Sequence, residues 1–251
     1  MGITETGLIL IGDELLRGNR QDKHMEYMIG LLDDRGMELS WVRIVGDEGA
    51  QITETLRDTM ARPALVFSFG GIGATPDDVT RASAAEAIGV AVERHPEAVS
   101  LLEDQFGEAA YPKRILMAEL PAGAALIPNP VNRVPGFKLR HHHFLPGFPN
   151  MAWPMAEWVL DTHYSQLFND NPRAEERLYI LNTPESELID QMNRLLERYP
   201  ELGLSSLPDT RNRKRIDFGL KGPRQVVDAA RTELLEWLDE EGIDWAPLDG
   251  S

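Results

Sequence analysis

Two short stretches of the chain hold the residue types that phosphate chemistry needs. One is Gly12-Asp13-Glu14-Leu15-Leu16-Arg17-Gly18, and the other is Gly70-Gly71-Ile72-Gly73-Ala74-Thr75-Pro76-Asp77-Asp78. Glycines at 70, 71 and 73 permit positive φ and let the backbone approach a ligand with no Cβ in the way. Thr75 fits a helix N-cap, Pro76 the first helical position, and Asp78, three residues past the cap, a capping-box-like pattern. Free amides at such a helix start favour an anion such as phosphate. Asp77 and Asp78 would repel a bare phosphate, and a divalent cation between carboxylate and phosphate oxygens removes that conflict. The same two aspartates have a plainer reading, since acidic residues in a first helical turn stabilise the helix dipole by about 0.3–1 kcal/mol without any metal. The pair behind three glycines points to a site. No Gly-Lys-Ser/Thr follows, so the loop is not a Walker loop.

The elements around these stretches decide whether the two can meet. Residues 6–11 form a short apolar run ending in Gly12, which predicts a buried strand. Asp22 caps a helix with Met25, Met28, Ile29 and Leu32 on its buried face, closed by Gly36. Residues 38–45 are β-rich, and a second helix carries Ile52, Leu56 and Met60 on one side. Residues 64–69 predict another buried strand, and a third helix starts at Pro76. Strand alternating with helix predicts an α/β domain with a three-layer, largely parallel sheet. Ligands in such sheets bind outside the carboxyl ends of the strands, where both glycine-containing stretches fall.

Residues 121–154 are rich in proline and glycine and read as turns around short strands at 125–127 and 144–145. The next helix carries Met155, Trp158, Val159 and Tyr164, with Pro154 in its first turn. Asn169-Asp170-Asn171-Pro172 is the linker candidate, which divides the chain into domains at 1–168 and 173–251. The second domain reads β (177–181), α (184–197), β (202–207), β (215–220), α (223–238), with a last strand near Trp245. That order predicts a small α+β unit of ferredoxin-like or KH-like type.

Composition narrows the chemistry. The chain has no cysteine, which excludes disulfides, thiolate metal sites and a cysteine nucleophile. A net charge of −16 repels nucleic acid and anionic membranes at long range, so neither is expected as a partner. No apolar run is long enough for a bilayer span or a signal sequence, and the expected location is cytoplasmic. A small phosphorylated ligand still fits an acidic chain if local amides, a few bases or a metal reverse the field.

Gly-Asp-Glu-Leu-Leu at 12–16, Val45-Gly46-Asp47, and Gly-Gly-Ile-Gly-Ala-Thr-Pro-Asp-Asp at 70–78 together resemble the MoaB/Mog molybdopterin-binding fold. They resemble more closely the N-terminal half of CinA-type proteins and the related eukaryotic FAD synthase domain. The likeness continues through Ile127-Pro128-Asn129-Pro130, Pro135-Gly136-Phe137, Leu145-Pro146-Gly147-Phe148-Pro149, Glu185-Ser186-Glu187-Leu188 and Leu204-Ser205-Ser206-Leu207-Pro208. It implies a MoaB/Mog-type first domain, a KH-like second one, and a homo-oligomer, dimer or trimer. It also implies two chemistries: metal-dependent hydrolysis of a nucleotide pyrophosphate such as ADP-ribose or FAD, and binding or adenylylation of molybdopterin. A non-catalytic ligand-binding protein of the same fold is a third reading. Carried over by motif, Gly12, Asp13, Gly70, Gly71, Gly73, Thr75 and Asp77 are the ligand- or phosphate-binding positions. Asp78, Glu14 and Asp47 are the catalytic ones, with Asp78 and Glu14 as ligands of magnesium, manganese or cobalt; potassium is a further cofactor candidate. The chain departs from the family where Asp-Thr-Asn becomes Asp22-Lys23-His24, placing a cation in place of an asparagine. It departs again where a glycine is lost and Arg133 gained in Asn129-Pro130-Val131-Asn132-Arg133-Val134-Pro135-Gly136, and where Gly-Pro-Thr becomes Gly-Ala-Thr at Ala74.

Three other features have plain structural readings. His141-His142-His143 fits an exposed polar strand face better than a metal site, since no acidic partner is adjacent. Arg211, Arg213, Lys214 and Arg215 fit the solvated charges of a hairpin turn, with no Gly-x-x-Gly clamp for RNA. The apolar stretch 151–158, with Trp153 and Trp158, is a candidate for core or for a self-complementary subunit interface.

Overall fold

The computed structural model describes residues 2–169, 173–209, 212 and 214–248. The chain folds as two compact units, one up to Phe168 and one from Asn169 onward. The linker residues 170–172, and Arg211 and Arg213 of the basic cluster, lie outside the described residues.

In chain order the first unit contains β1 (Glu5–Ile11), α1 (Asp13–Leu16), α2 (His24–Asp33), β2 (Trp41–Val45), α3 (Gly49–Met60), β3 (Ala64–Phe69), α4 (Thr80–Ile88), β4 (Val92–Arg94), α5 (Pro96–Phe106), β5 (Glu119–Pro121), β6 (Ala125–Ile127), β7 (Gly136–Leu139), β8 (His142–Leu145) and α6 (Pro149–His163). Its main sheet has the order β2-β1-β3-β8-β7-β6. Pairing is parallel from β2 through β8 and antiparallel at β8–β7 and β7–β6, so β6 again runs with β8.

Side chains alternate across this sheet and make two cores. Ile9 and Ile11 of β1 and Val66 of β3 pack with Ile52 and Leu56 of α3, Ala84 of α4 and Leu102 of α5. Leu8, Leu10, Phe67 and Phe69 point the other way, onto Met28 and Leu32 of α2 and Met155 and Val159 of α6. These residues are nearly all buried on both sides, which is why β1 and β3 read as unbroken apolar runs. Each such side chain contributes roughly 1.5–3 kcal/mol by leaving water. The result is a three-layer α/β unit with a mostly parallel sheet between two helical layers.

Several local expectations are corrected. The helix after the glycine loop begins at Thr80, not Pro76. Asp78 closes a separate turn on Thr75, and the amide and hydroxyl of Thr80 bond the carbonyls of Gly71 and Gly70 at 3.1 and 3.2 Å, fixing the helix start further on. On α2 the buried residues are His24, Met28, Leu31 and Leu32, while Met25 and Ile29 are exposed. His24 stacks on Phe69 at 4.3 Å between ring centroids, which rotates the face by one residue. The N-cap position is Lys23; Asp22, one residue earlier, accepts from the amides of His24 and Met25 at 3.0 and 2.9 Å. Helix α6 starts at Pro149, where the missing amide costs little, so Pro154 lies inside it rather than in its first turn. The 151–158 stretch holds no exposed large apolar side chain: Met155 is fully buried and Trp153 stacks on Tyr27 at 4.1 Å. Met155 thus belongs to this unit's own core, while Met151, Trp153 and Trp158 are part-buried.

The histidine run is the largest correction. His142 and His143 are 1% and 0% exposed on the interior strand β8, not on an open face, while His141 sits in the turn before it. His142 Nε2 lies 2.9 Å from the Thr59 hydroxyl, and His143 lies 3.3 Å from both the Val66 carbonyl and the Tyr164 hydroxyl. Burial lowers the pKa of His142 to about 3 and holds that of His143 well below the ordinary value.

The second unit contains β9 (Ala174–Leu181), α7 (Glu185–Arg198), β10 (Gly203–Pro208), β11 (Arg215–Gly222), α8 (Arg224–Glu240) and β12 (Trp245–Pro247). Its sheet is antiparallel in the order β10-β11-β9-β12, the split βαβ arrangement of ferredoxin-like units. Leu178, Ile180, Phe218 and Leu220 pack against Leu188 and Leu195 of α7 and Val227 and Leu234 of α8. No described helix in either unit is long and apolar enough to cross a membrane.

Candidate functional site

Five strands deliver their carboxyl ends to one edge of the main sheet: β2, β1, β3, β8 and β6. The loops that leave them meet in a cleft of about 490 Å³. The Gly12 amide bonds the Val45 carbonyl at the end of β2, and the Gly70 amide bonds the Leu145 carbonyl at the end of β8, each at 3.0 Å. The loops are thereby tied edge to edge.

Most of the residues predicted from sequence line this cleft: Gly12, Glu14, Asp47, Gly70, Gly71, Gly73, Thr75, Asp77 and Asp78. Asp13 does not. Its carboxylate accepts the Asp47 amide at 3.2 Å while its own amide donates to the Asp47 carboxylate at 2.9 Å. This reciprocal pair clamps α1 to the end of β2 and aims Asp47 at the cleft. Arg17 holds the other side of the Asp13 carboxylate at 2.6 Å.

The glycine loop is shaped by close approach. Gly70 and Gly71 have φ of +108° and +67°, and a Cβ on Gly70 would run into the Ile11 carbonyl oxygen. Gly73 is not in the positive-φ region; its lack of a side chain leaves room for the Asp78 carboxylate. Asp78 Oδ2 accepts the Thr75 amide at 2.8 Å and the Thr75 hydroxyl at 2.6 Å, and the Asp78 amide donates back to the Thr75 carbonyl at 3.0 Å. Thr75 is therefore a turn residue, not a helix cap. The predicted helix-start anion site moves accordingly: the amides without a partner belong to the cleft-lining loop itself. Among the described residues, the amides of Gly71, Ile72, Gly73 and Ala74 donate to no protein acceptor. Arg81 pins the loop from behind through the Ile72 carbonyl at 2.7 Å.

The charged lining of the cleft is mostly acidic. Burial raises the pKa of Asp47, and the neighbouring charges of Glu14, Asp13 and Asp77 raise it further, against the lowering effect of the Asp13 amide. Among the described residues no three histidine, aspartate or glutamate side chains converge as a metal-binding group. Magnesium-type cations are commonly held by one or two carboxylates with phosphate oxygens and water completing the shell; Glu14 and Asp78 both line this cleft.

Sequence reasoning missed the rest of the lining. Phe106, Met117, Val134, Phe148 and Met151 form apolar walls, and Asn129, Asn132 and Arg20 add polar groups. Asn129 and Phe148 stood inside the quoted motifs without an assigned role; nothing in the sequence singled out Arg20. The two departures at 23–24 resolve differently. His24 is 6% exposed and burial lowers its pKa, so it is not the expected cation, and Lys23 lies outside this cleft. Arg133 takes a left-handed turn (φ 60°) and leaves the lining to its neighbour Asn132.

Comparison with known proteins agrees with this geometry. Residues 7–165 match the family described as "Probable molybdopterin binding domain". A CinA-like protein of Anaeromyxobacter sp. is 32% identical over 198 residues, which are 76% of this chain and 48% of that protein, so the chain spans about half of that relative. A protein of Pyrobaculum arsenaticum is 28% identical over 208 residues, 80% of this chain and 78% of its own length. Among solved structures, CinA of Thermoplasma acidophilum, a protein of unknown function, is similar at 26% identity with a TM-score of 0.58, covering 62% of this chain and 96% of that one. With the family matched across nearly the whole first unit, this chain belongs to the molybdopterin-binding domain family of MoaB/Mog type and has CinA-like relatives.

Proposed function

We propose that the cleft binds a nucleotide pyrophosphate, of the ADP-ribose or FAD kind, and hydrolyses it with a divalent metal. The observation that carries this reading is one cleft lined by two chemically distinct kinds of group. Loop amides without a protein acceptor and the carboxylates of Glu14, Asp47, Asp77 and Asp78 line it together with the apolar side chains of Phe106, Met117, Phe148 and Met151. A flat heteroaromatic ring bearing phosphates matches both. The loop amides hold phosphate oxygens. Glu14 and Asp78 would hold the metal, which shields the pyrophosphate charge and makes bound water more acidic. Asp47, whose raised pKa makes it a stronger base than an ordinary carboxylate, takes the proton from the attacking water. Water adds to one phosphorus, the bridging P–O bond breaks, and the leaving phosphate carries off the bond's electrons.

A second reading has its own support. The Asp78 carboxylate is already committed to Thr75, as suits a loop built for binding rather than turnover. In that case the ligand is a pterin or a nucleotide held without hydrolysis, or a molybdopterin awaiting adenylylation. The purified protein, incubated with ADP-ribose, FAD and dinucleotides with magnesium, manganese or cobalt, is expected to release AMP, and chelator is expected to stop it. Tight binding of a pterin with no AMP from any pyrophosphate would favour the second reading.

A further inference from the structure

We propose that Arg20 is the side chain that grips the ligand's phosphate in this cleft. This rests on the reading of the cleft as a phosphate-ligand site and not on hydrolysis.

Of the described side chains lining the cleft, four are acidic and Arg20 is the single lysine or arginine. In a chain of net charge −16, an anion is drawn into an acid-rimmed cleft by local positive groups, so the position of this one matters. The backbone holds it in place: the amides of Asn19 and Arg20 both donate to the Glu14 carbonyl, at 2.9 and 3.1 Å. The guanidinium lies 5.9 Å from the Phe148 ring centroid, and its Nη2 faces the Gly147 carbonyl at 3.3 Å. Gly147 in turn abuts Gly70, close enough that a Cβ on it would lie 3.5 Å from the Gly70 Cα. The guanidinium thus lines the same cleft as the glycine loop, and one residue, Gly147, touches both.

Its present contacts leave it free to bind. Five N–H donors share one 3.3 Å bond to Gly147 and a 3.9 Å ion pair with Glu14, and the side chain is 44% exposed. A planar fork so loosely engaged can close on two phosphate oxygens at once. The alternative is that Arg20 merely props up Gly147. However, the buried His24 Nε2 reaches the same carbonyl at 3.3 Å, so Gly147 has a partner without it. The exposed pair with Glu14 adds little stability of its own.

The test is calorimetric titration of the full chain and of Arg20→Gln and Arg20→Lys with ADP, inorganic pyrophosphate and adenosine. For Arg20→Gln, affinity for ADP and pyrophosphate is expected to fall about 10- to 100-fold and that for adenosine to stay within about twofold. Arg20→Lys should lie between, since lysine keeps the charge and loses the fork. The thermal midpoint should not move. Unchanged ADP affinity in Arg20→Gln would overturn the proposal. A parallel loss of adenosine affinity with a lower midpoint would overturn it in favour of the prop. A wild-type protein that binds neither ADP nor pyrophosphate would overturn it as well. Turnover is read separately: ADP binding that depends on Arg20, with no AMP released from ADP-ribose, would sink the hydrolase reading and leave this one standing.

Discussion

Acidification from pH 7 to pH 5 is expected to cost the first unit about 2 kcal/mol at His142, with His143 adding to the loss in the same direction, read as urea unfolding free energy. His142 carries a folded-state pKa of about 3 against an ordinary 6.5, and His143 is lowered in the same direction, both by burial. The sign follows from where the proton goes. Above pH 6.5 both states are neutral and these residues add no pH dependence. Below it the unfolded chain takes up protons that the native strand refuses, so stability falls steadily until the folded pKa is reached. Carried down to pH 3, the loss from His142 alone approaches about 4–5 kcal/mol. No polar group waits for a proton at His142, whose Nδ1 is buried without a partner. In His142→Gln the slope between pH 7 and pH 5 should be shallower by about one histidine's worth. Equal slopes in the two proteins would mean that His142 is protonated in the native state.

Asp78→Asn is expected to lower metal-dependent AMP release by about 100- to 1000-fold while leaving the unfolding midpoint within experimental scatter. The amide oxygen of asparagine still accepts from the Thr75 amide and hydroxyl, so the turn survives the loss of charge. Thr75→Ala is the control, because it removes one hydrogen bond of an exposed turn, about 0.5–1 kcal/mol, and no carboxylate. Full activity in Asp78→Asn would make the carboxylate a turn-former only. The same outcome would leave Glu14 to hold the metal and Asp47 to act as the base.

What could be read ahead of the structure follows from periodicity. Residues 64–69 and the helix bearing Ile52, Leu56 and Met60 form as expected, because each repeats an apolar pattern of one period. The polar strand β8 was misjudged for the opposite reason. Histidines count as polar, and only the neighbouring Thr59, Val66 carbonyl and Tyr164 make their burial affordable. Helix starts failed where a side chain made its own local turn: Asp78 with Thr75 delayed α4, and Pro149 advanced α6. The acidic and glycine residues of the cleft were legible because they sit directly after strands. Arg20, Phe106 and Phe148 come from loops and a helix end that share no pattern, and only the fold brings them together.

Where a pyrophosphate lies in this cleft decides its function. A crystal structure should be determined with manganese and an ADP-ribose analogue whose bridging oxygen is replaced by methylene. Phosphate oxygens are expected within hydrogen-bonding distance of the amides at 71–74, with the adenine against Phe148 or Phe106. Phosphates bound away from both glycine loops, or a ring in the cleft with its phosphates turned out to solvent, would contradict this placement.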